Sequence, residues 1–376
     1  MNIKTLTLLL FIFASTLLNA QVLRSPDLYY GRYEGNIDEN IPVTANIMRA
    51  FGQVTGNYHV TPSDLTESEG LSRKKVLSGQ ISGDSVSMKE FGRKSEVIEG
   101  SLSSTQMNGY WMLTNNQPET FSLEASYPIG SLPFEVSYLR SELNLAPEKA
   151  DSPTASIELT LVYPENNNLN EGVFDSISHH INSGFFGEGV TPSHPDSLLL
   201  NYEREYYENY KKQNQQWLET GGHSFSWEKV ISMNIAYNSN HLLCLEFERY
   251  AYSGGAHGMS NIAYQLINLH DGSLLTFEDI FIQGSDSILT SLLTQQLITD
   301  RNNPMDSTLK SSGFFVDVIV PNHNIFLEQS GIGFTYNPYE IAPYSFGSTT
   351  LFLNFNQLIG ILKPSTPVFS LANSLN

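Results

Sequence analysis

Residues 231–252 read ISMNIAYNSNHLLCLEFERYAY and contain two long runs of strand-forming residues, Ile231–Tyr237 and Leu242–Tyr252. Downstream, Ser285–Asp300 carries apolar residues at helical spacing. A segment that combines long strands with amphipathic helices is typical of helices packed on one face of a sheet. Residues 154–364 are therefore predicted to form an α+β module with helices on a mainly antiparallel sheet.

Two more helices are predicted upstream of these strands. Their apolar stripes are formed by Phe174, Ile177, Ile181 and Phe185 and by Leu199, Tyr202, Tyr206 and Tyr210. The buried side of the helix at Ser285–Asp300 is predicted to contain Ile288, Leu289, Leu292, Leu293 and Leu297. Because helically spaced aromatic residues more often face a core than a ligand, the tyrosines are predicted to be buried. Tyr207 lies about 100° from Tyr206 around the helix and is predicted to be the exposed member.

The N-terminal part has a different pattern. From Tyr29 to about Ser126, short alternating runs are separated by glycine turns. The runs include Val43–Ile47, Val54–Val60, Val76–Ile81 and Val86–Phe91. This spacing predicts an antiparallel β-rich meander, either a sandwich or a small barrel. Five aromatic residues are predicted to fill its core or, as the alternative, to line an apolar cavity: Tyr30, Tyr33, Tyr58, Tyr110 and Trp111.

These patterns divide the 376 residues into five segments. Residues 1–20 are predicted to be a signal peptide and residues 21–144 a β-rich domain. Residues 145–153 are rich in proline, charged and small residues, which predicts a linker. The α+β module at 154–364 is predicted to have two adjoining parts, 154–260 and 261–364, and 365–376 to be a C-terminal tail.

The start of the chain predicts export. Met1–Lys4 is basic, Thr5–Leu18 is apolar and uncharged, and Ala20 offers a cleavage site. The apolar run is shorter than the roughly 20 residues that a bilayer span needs, so a cleaved signal peptide is predicted rather than an anchor. No cysteine lies near the cleavage site, so lipid attachment is not expected. The mature protein is predicted to be periplasmic or secreted, without a membrane span.

Charge and cysteine content exclude several classes of function. The chain has 39 acidic and 20 basic residues, a formal charge of −19. Nucleic acids and anionic membranes bind through Lys and Arg, so neither is expected as a partner. A basic protein partner is favoured by the same charge. The single cysteine, Cys244, permits no internal disulfide and is predicted to be a buried core residue.

Three ordered motifs resemble a known extracytoplasmic module. They are YAYSGGAHG at 250–258, NLHDGSLLTFEDIF at 268–281 and IGFTYNPYEIAPYSFG at 332–347. Over about residues 157–362 the chain is similar to the module that occurs in lysozyme-sensing anti-sigma factors of the RsiV type. The same module precedes the catalytic domain of some peptidoglycan deacetylases of the PdaC type. The resemblance implies an α+β binding domain with no established catalysis of its own.

The deacetylase comparison can be tested on the residues. Those enzymes carry a Thr-Phe-Asp-Asp signature and a later His-x-x-x-His pair, because their metal needs an aspartate and two imidazoles. Here Thr276–Asp279 reads TFED, and Leu327 stands four residues after His323. Glu278 and Asp279 are therefore predicted to be polar residues at the end of a strand. No metal and no cofactor are expected, and the adjacent His179 and His180 are not expected to share a metal.

Two loops supply the candidate site residues. His257 lies in a glycine loop with Gly254 and Gly255, next to Tyr252, and is a weak catalytic candidate since histidine titrates near neutral pH. The simpler interpretation is a structural histidine in a turn that needs glycine. Tyr339 and Tyr344 lie in a proline-containing loop, which can present contacts at low entropic cost. All six residues are predicted to bind a ligand.

The favoured function is an exported, non-enzymatic recognition module. Its partner would be a lysozyme-like basic protein or a cell-wall glycan. One alternative is a cell-envelope glycan hydrolase or deacetylase-like enzyme that uses His257 with a carboxylate. The other is a carrier that holds a small apolar ligand in the N-terminal β domain. The sequence does not indicate an oligomeric state.

Overall fold

The computed structural model describes residues 22–375, apart from 24, 39, 61–73, 92–96, 113–117, 150, 166–168, 191–192, 221–225 and 302–307. The predicted signal peptide at 1–20 lies outside the described residues. Within the described part, an eight-stranded antiparallel barrel is followed by an α+β module with a five-stranded and a three-stranded sheet. The predicted fold class is confirmed.

The N-terminal strands close into a barrel because the first strand pairs with both the second and the last. The strands are β1 (Leu28–Ile37), β2 (Ile41–Ala50), β3 (Gln53–Val60), β4 (Lys75–Ser82), β5 (Ser85–Glu90), β6 (Val97–Leu102), β7 (Gln106–Met112) and β8 (Pro118–Ala125). Gly100 and Gly109 face each other across β6 and β7. A Cβ at Gly109 would lie 2.1 Å from the carbonyl oxygen of Glu99, so this pair requires glycine.

The barrel interior is filled by side chains. Tyr33, Tyr58 and Trp111 are buried in it, and the Tyr58 and Trp111 rings pack edge to face with centroids 4.6 Å apart. The space left among the lining residues is about 20 Å³, enough for about one water molecule. Tyr110 is 56% exposed because it precedes Trp111 on the same strand and faces the opposite side. Tyr30 packs outside the barrel, against Phe134.

The five-stranded sheet has the order β13-β12-β11-β10-β9, and only β10 and β11 run parallel. Its strands are β9 (Phe134–Asn144), β10 (Thr154–Pro164), β11 (Trp227–Ser239), β12 (Leu242–Tyr252) and β13 (Met259–Asn268). The parallel crossover contains α1 (Glu171–Phe186), α2 (Pro195–Gln213) and α3 (Gln215–Thr220). Helices α1 and α2 bury their predicted faces on one side of this sheet.

The α2 tyrosines follow the prediction in part. Tyr206 and Tyr210 are buried, and Tyr202 is half-buried. Tyr207, predicted to be exposed, is also half-buried, and its hydroxyl lies 2.7 Å from the Ser141 hydroxyl. Tyr207 lies at the edge of the buried face of α2, and Ser141 on β9 holds its ring there.

Two predicted boundaries differ from the structure. Strand β9, which the sequence division places in the N-terminal domain, is an edge strand of the module's sheet and pairs with β10 along its length. The predicted linker at 145–153 is the turn between these two strands, closed by a bond from the N–H of Leu145 to the carbonyl of Pro153. Proline and charged residues suit a tight turn as well as a linker, and composition alone did not separate them.

The second part of the module packs on the opposite side of this sheet. It contains α4 (Phe277–Ile280), α5 (Asp286–Asp300), β14 (Ile325–Glu328), β15 (Gly331–Tyr336), β16 (Thr349–Asn354), α6 (Phe355–Leu358) and α7 (Pro367–Ser374). Strands β14, β15 and β16 form the three-stranded antiparallel sheet. Cys244 from β12 belongs to the core of this part and is fully buried, as predicted. The two parts therefore share a core.

Two further residue predictions need correction. Ile288 on α5 is 49% exposed, whereas Leu289, Leu293 and Leu297 are buried, because the core covers a narrower stripe of this helix than the sequence suggested. The predicted tail at 365–376 contains α7, which buries Val368, Leu371 and Ala372 in the core.

Buried polar contacts join the barrel to the sheet. The Arg32 guanidinium is 1% exposed, donates to the carbonyl of Asn238 at 2.8 Å and pairs with Glu34 at 2.7 Å. Asn57 donates to the carbonyl of Ile235 at 2.8 Å, beside a register shift in β11. Since buried polar groups need partners, these bonds fix how the barrel sits on the module.

Candidate functional site

The glycine loop at 253–258 connects β12 to β13. Gly254 and Gly255 have φ values of 110° and 100°, a region that side chains of other residues rarely tolerate. The Tyr252 hydroxyl donates to the carbonyl of Gly255 at 3.1 Å. The two glycines therefore shape a turn, and Tyr252 holds it from the end of the strand.

His257 is exposed on this loop. Its Nδ1 lies 2.8 Å from the carbonyl oxygen of Gly258, to which it donates. The imidazole stacks on the ring of Tyr344, with centroids 3.9 Å apart and an interplanar angle of 17°. The structure thus brings His257, from the first part of the module, onto a tyrosine of the second part.

Tyr344 and Tyr339 belong to the loop that follows β15. The Tyr339 ring lies 6.0 Å from the Tyr344 ring at 30° and is 50% exposed. Tyr339 has a φ of 73°, and its N–H donates to the carbonyl of Ala342 at 3.0 Å. The rings of His257, Tyr344 and Tyr339 form one row, which we call the aromatic platform.

Asparagine side chains fasten the second loop to the sheet edge. Asn337 accepts a bond from the N–H of Ile262 at 2.8 Å and donates to the carbonyl of the same residue at 3.0 Å. Asn324 accepts from the N–H of Tyr264 at 3.0 Å and donates to the carbonyl of Ile262 at 2.8 Å. These bonds to β13 set the position of the platform relative to the five-stranded sheet.

Two residues near the platform were not predicted from the sequence. Tyr250 packs against Gly258, where an added Cβ would lie 2.4 Å from the tyrosine ring. Glu228 lies opposite Tyr252 in the pairing of β11 with β12 and is exposed. Tyr250 and Tyr252 share one face of β12 because side chains alternate along a strand. This alternation could have indicated from the sequence that Tyr250 lies on the same side of the strand as Tyr252.

His257 has no acid–base partner among the residues that the structure describes. Its contacts there are the Gly258 carbonyl and the Tyr344 ring, and no carboxylate hydrogen-bonds it. The two contacts hold the imidazole in the row of rings.

The TFED segment has a structural role. The N–H and hydroxyl of Thr276 donate to the Asp279 carboxylate at 2.9 and 2.8 Å, which caps α4. These bonds lower the pKa of Asp279. Asp279 and Glu278 thus lie at a helix start, not at the end of a strand. His323 stacks on Phe277 with centroids 5.4 Å apart.

No metal centre is evident in the described part of the chain, where no group of three or more His, Cys, Asp or Glu side chains is placed to hold an ion. The rings of His179 and His180 lie 5.6 Å apart at 61°. Over the same residues, no helix is both long and apolar enough to cross a membrane.

A largely buried charged cluster lies where the barrel meets the module. Lys74 Nζ is 3.4 Å from Glu246 Oε2, and the Lys74 N–H donates to Glu328 at 2.7 Å. The Tyr264 hydroxyl also donates to Glu246, at 2.8 Å. Burial disfavours the charge on Lys74, but the two carboxylates outweigh this and raise its pKa. These residues are far apart in sequence, and no motif indicated the cluster.

Comparison with known proteins gave matches to two family models and to solved structures. Residues 150–260 match the family model described as Deacetylase PdaC, and residues 278–356 match that of a Protein of unknown function, DUF3298. A crystal structure of a DUF3298 family member from Bacteroides fragilis has a TM-score of 0.59 and 23% identity, over 65% of this chain and 99% of that one. A DUF3298 family protein from Pseudomonas aeruginosa has a TM-score of 0.44 and 18% identity, over 62% and 97%. A search of curated proteins gave no match.

The fold and the two loops define a two-part α+β module whose halves share a core. With the two family matches, residues 150–356 form a PdaC/DUF3298-type module, preceded here by an eight-stranded barrel. The resemblance predicted from the three motifs is confirmed. The similarity to the Bacteroides fragilis structure supports the fold alone.

Proposed function

We propose that this protein is an exported recognition module that binds a protein partner through the aromatic platform. The observation that carries the proposal is the row of three rings presented by two loops with restricted backbones. Aromatic side chains with a polar edge are frequent anchors of protein interfaces, because they bury a large area at low entropic cost. Loops that are already ordered lower that cost further.

Charge indicates the kind of partner. The chain carries a formal charge of −19. The exposed carboxylate of Glu340 follows Tyr339 in the platform loop, and the exposed Glu228 lies opposite Tyr252 at the end of β12, next to the glycine loop. An acidic surface speeds association with a basic protein, and added salt weakens this effect. A lysozyme-like protein has this chemistry, and the resemblance to lysozyme-sensing proteins favours the same partner.

Export is part of the proposal. The basic start, the apolar run to Leu18 and the small residue Ala20 favour cleavage and release to the periplasm or the medium. A partner outside the cytoplasm requires it. N-terminal sequencing of the protein purified from cell fractions would test this step, and a retained Met1 in the cytoplasmic fraction would contradict it.

Binding is tested with the purified mature chain and immobilised lysozyme, in parallel with insoluble peptidoglycan. We expect lysozyme to be retained at low salt and less well at high salt. Tyr344→Ala removes the central ring of the platform and should weaken binding about tenfold or more, as expected for an interface anchor. The matched control is Tyr110→Ala, which removes an exposed tyrosine from the barrel.

Two outcomes would contradict this proposal. Equal retention of the Tyr344→Ala and Tyr110→Ala variants would remove the platform from the interface. Retention on peptidoglycan alone would favour a cell-wall glycan over a protein. The ligand-carrier alternative is disfavoured by the barrel interior, whose free space of about 20 Å³ is far smaller than a drug-sized ligand.

A further inference from the structure

A groove on the second part of the module shares no residue with the aromatic platform. It has a volume of about 430 Å³ and lies between the segment that begins with α4 and the loop before β14. We call it the Phe277 groove, and the lining residues that matter here are Phe277, Glu278, Phe281, Asp286, His323 and Lys363. Its volume is within the range of sites for small ligands, about 300–1,000 Å³.

Aromatic rings form one wall of the groove. The His323 ring is exposed and stacks on Phe277 with an interplanar angle of 15°, and Phe281 lies 4.9 Å from Phe277. A second cavity of about 170 Å³ is also lined by Phe277 and His323. The two neighbouring cavities therefore share Phe277 and His323 in their linings.

The charges around the groove oppose one another. Lys363 Nζ donates to the carbonyl of Glu278 at 3.3 Å, and the carboxylates of Glu278 and Asp286 line the same space. All three side chains are exposed. The two carboxylates repel an anionic ligand, and the ammonium group of Lys363 offsets part of their attraction for a cationic one. A neutral ligand with many hydroxyl groups can use all three as hydrogen-bond partners.

The backbone of the groove wall is already paired. The N–H of Ile282 donates to Ile361 at 3.0 Å, and the N–H of Lys363 donates to Ile280 at 2.8 Å. The N–H of Phe281 donates to Phe277 within the short helix. An extended peptide binds by adding a strand to free backbone groups, and these groups are engaged. This wall can therefore recognise a ligand through its side chains.

We propose that the Phe277 groove binds a neutral oligosaccharide of at least two sugar rings. One ring packs on the Phe277–His323 pair, and its hydroxyl groups bond to Glu278, Asp286 and Lys363. The neighbouring compartment takes the next ring. This site is separate from the aromatic platform, so its test does not depend on the function proposed above.

The test is isothermal titration of the full mature chain with two neutral probes, tri-N-acetylchitotriose and maltotriose. Binding of either probe is expected. His323→Ala, which removes an exposed ring, should raise the dissociation constant about three- to tenfold, the loss expected for one stacking contact. Lys363→Met removes one hydrogen-bond donor from the rim and should also weaken binding. Its thermal unfolding serves as the folding control.

Tyr344→Ala is the matched control, because it alters the platform and leaves the groove intact. We expect it to bind the sugar as the wild type does. The proposal is overturned when neither probe binds, or when trialanine binds and the sugars do not. Sugar binding that is lost in Tyr344→Ala and kept in His323→Ala also overturns it, by moving the sugar to the platform.

Discussion

Two regions of the molecule differ in how their side chains are held. One is the junction between the barrel and the module, and the other is the aromatic platform. At the junction, Arg32 and His59 are buried and the Lys74 side chain is 11% exposed, and Arg32 and Lys74 are fixed by bonds to groups on other elements. On the platform, the exposed rings of His257 and Tyr339 and the half-buried ring of Tyr344 are held by backbone turns and stacking. Junction side chains are therefore expected to govern stability, whereas platform side chains should be replaceable without unfolding the protein.

The strongest test of the junction is Lys74→Met. This change leaves the carboxylates of Glu246 and Glu328 without their buried cation, and breaking a buried pair costs about 3–5 kcal/mol. We expect urea denaturation to show a loss of this size in the free energy of unfolding. Lys310→Met is the control. Its partner Asp317 is 3.4 Å away, but both side chains are largely exposed, so a loss of about 1 kcal/mol or less is expected. Equal losses in both variants would refute the contrast.

A second test uses pH. Burial, and then the charge of Arg32, lower the pKa of His59 from 6.5 to about 4. The unfolded chain therefore takes up a proton at higher pH than the folded chain. The stability that neutral His59 contributes is fully present above pH 6.5 and is lost as pH falls toward about 4. The loss amounts to about 3 kcal/mol.

Urea denaturation at several pH values across this window would measure the effect. His59→Gln should flatten the pH dependence, since glutamine does not titrate. A slope that persists unchanged in His59→Gln would show that another group is responsible.

The smallest effect is expected from His257→Ala on the platform. The change removes one bond to the Gly258 carbonyl and one stacking contact with Tyr344. At an exposed position these cost about 1 kcal/mol. Thermal unfolding would measure this loss of stability. A much larger loss would contradict the expectation and show that the fold depends on His257. Loss of a hydrolytic activity in a fully stable variant would instead support the enzyme alternative.

Local patterns predicted most of the secondary structure. Alternation in Val43–Ile47 and Val54–Val60 located two barrel strands, and the helical spacing of Phe174 to Phe185 located α1. Closure of the barrel depends on the pairing of β1 with β8. The residues of β9 were included in the N-terminal domain because the domain boundary was placed at the proline-containing stretch 145–153, whereas β9 pairs with β10. Which strand pairs with which depends on contacts between residues that are distant in sequence, and a local pattern does not determine it.

The candidate site residues were proposed from the sequence and remain predictions, and the contacts among them could not be predicted. Glycine spacing indicated the turn at Gly254 and Gly255, and proline indicated the loop of Tyr339 and Tyr344. The stacking of His257 on Tyr344 joins residues from the two parts of the module. The Lys74 cluster was missed for the same reason, since its members lie on the barrel side, on β12 and on β14.

The asparagine bonds along β13 have a consequence for self-association. Strand β13 is an outer strand of the five-stranded sheet, and the outward N–H groups of Ile262 and Tyr264 donate to Asn337 and Asn324. An open strand with free amides can recruit a copy of itself and seed fibres. Here the side-chain amides of Asn337 and Asn324 already accept from these two N–H groups, so a sixth strand cannot pair with this stretch of β13.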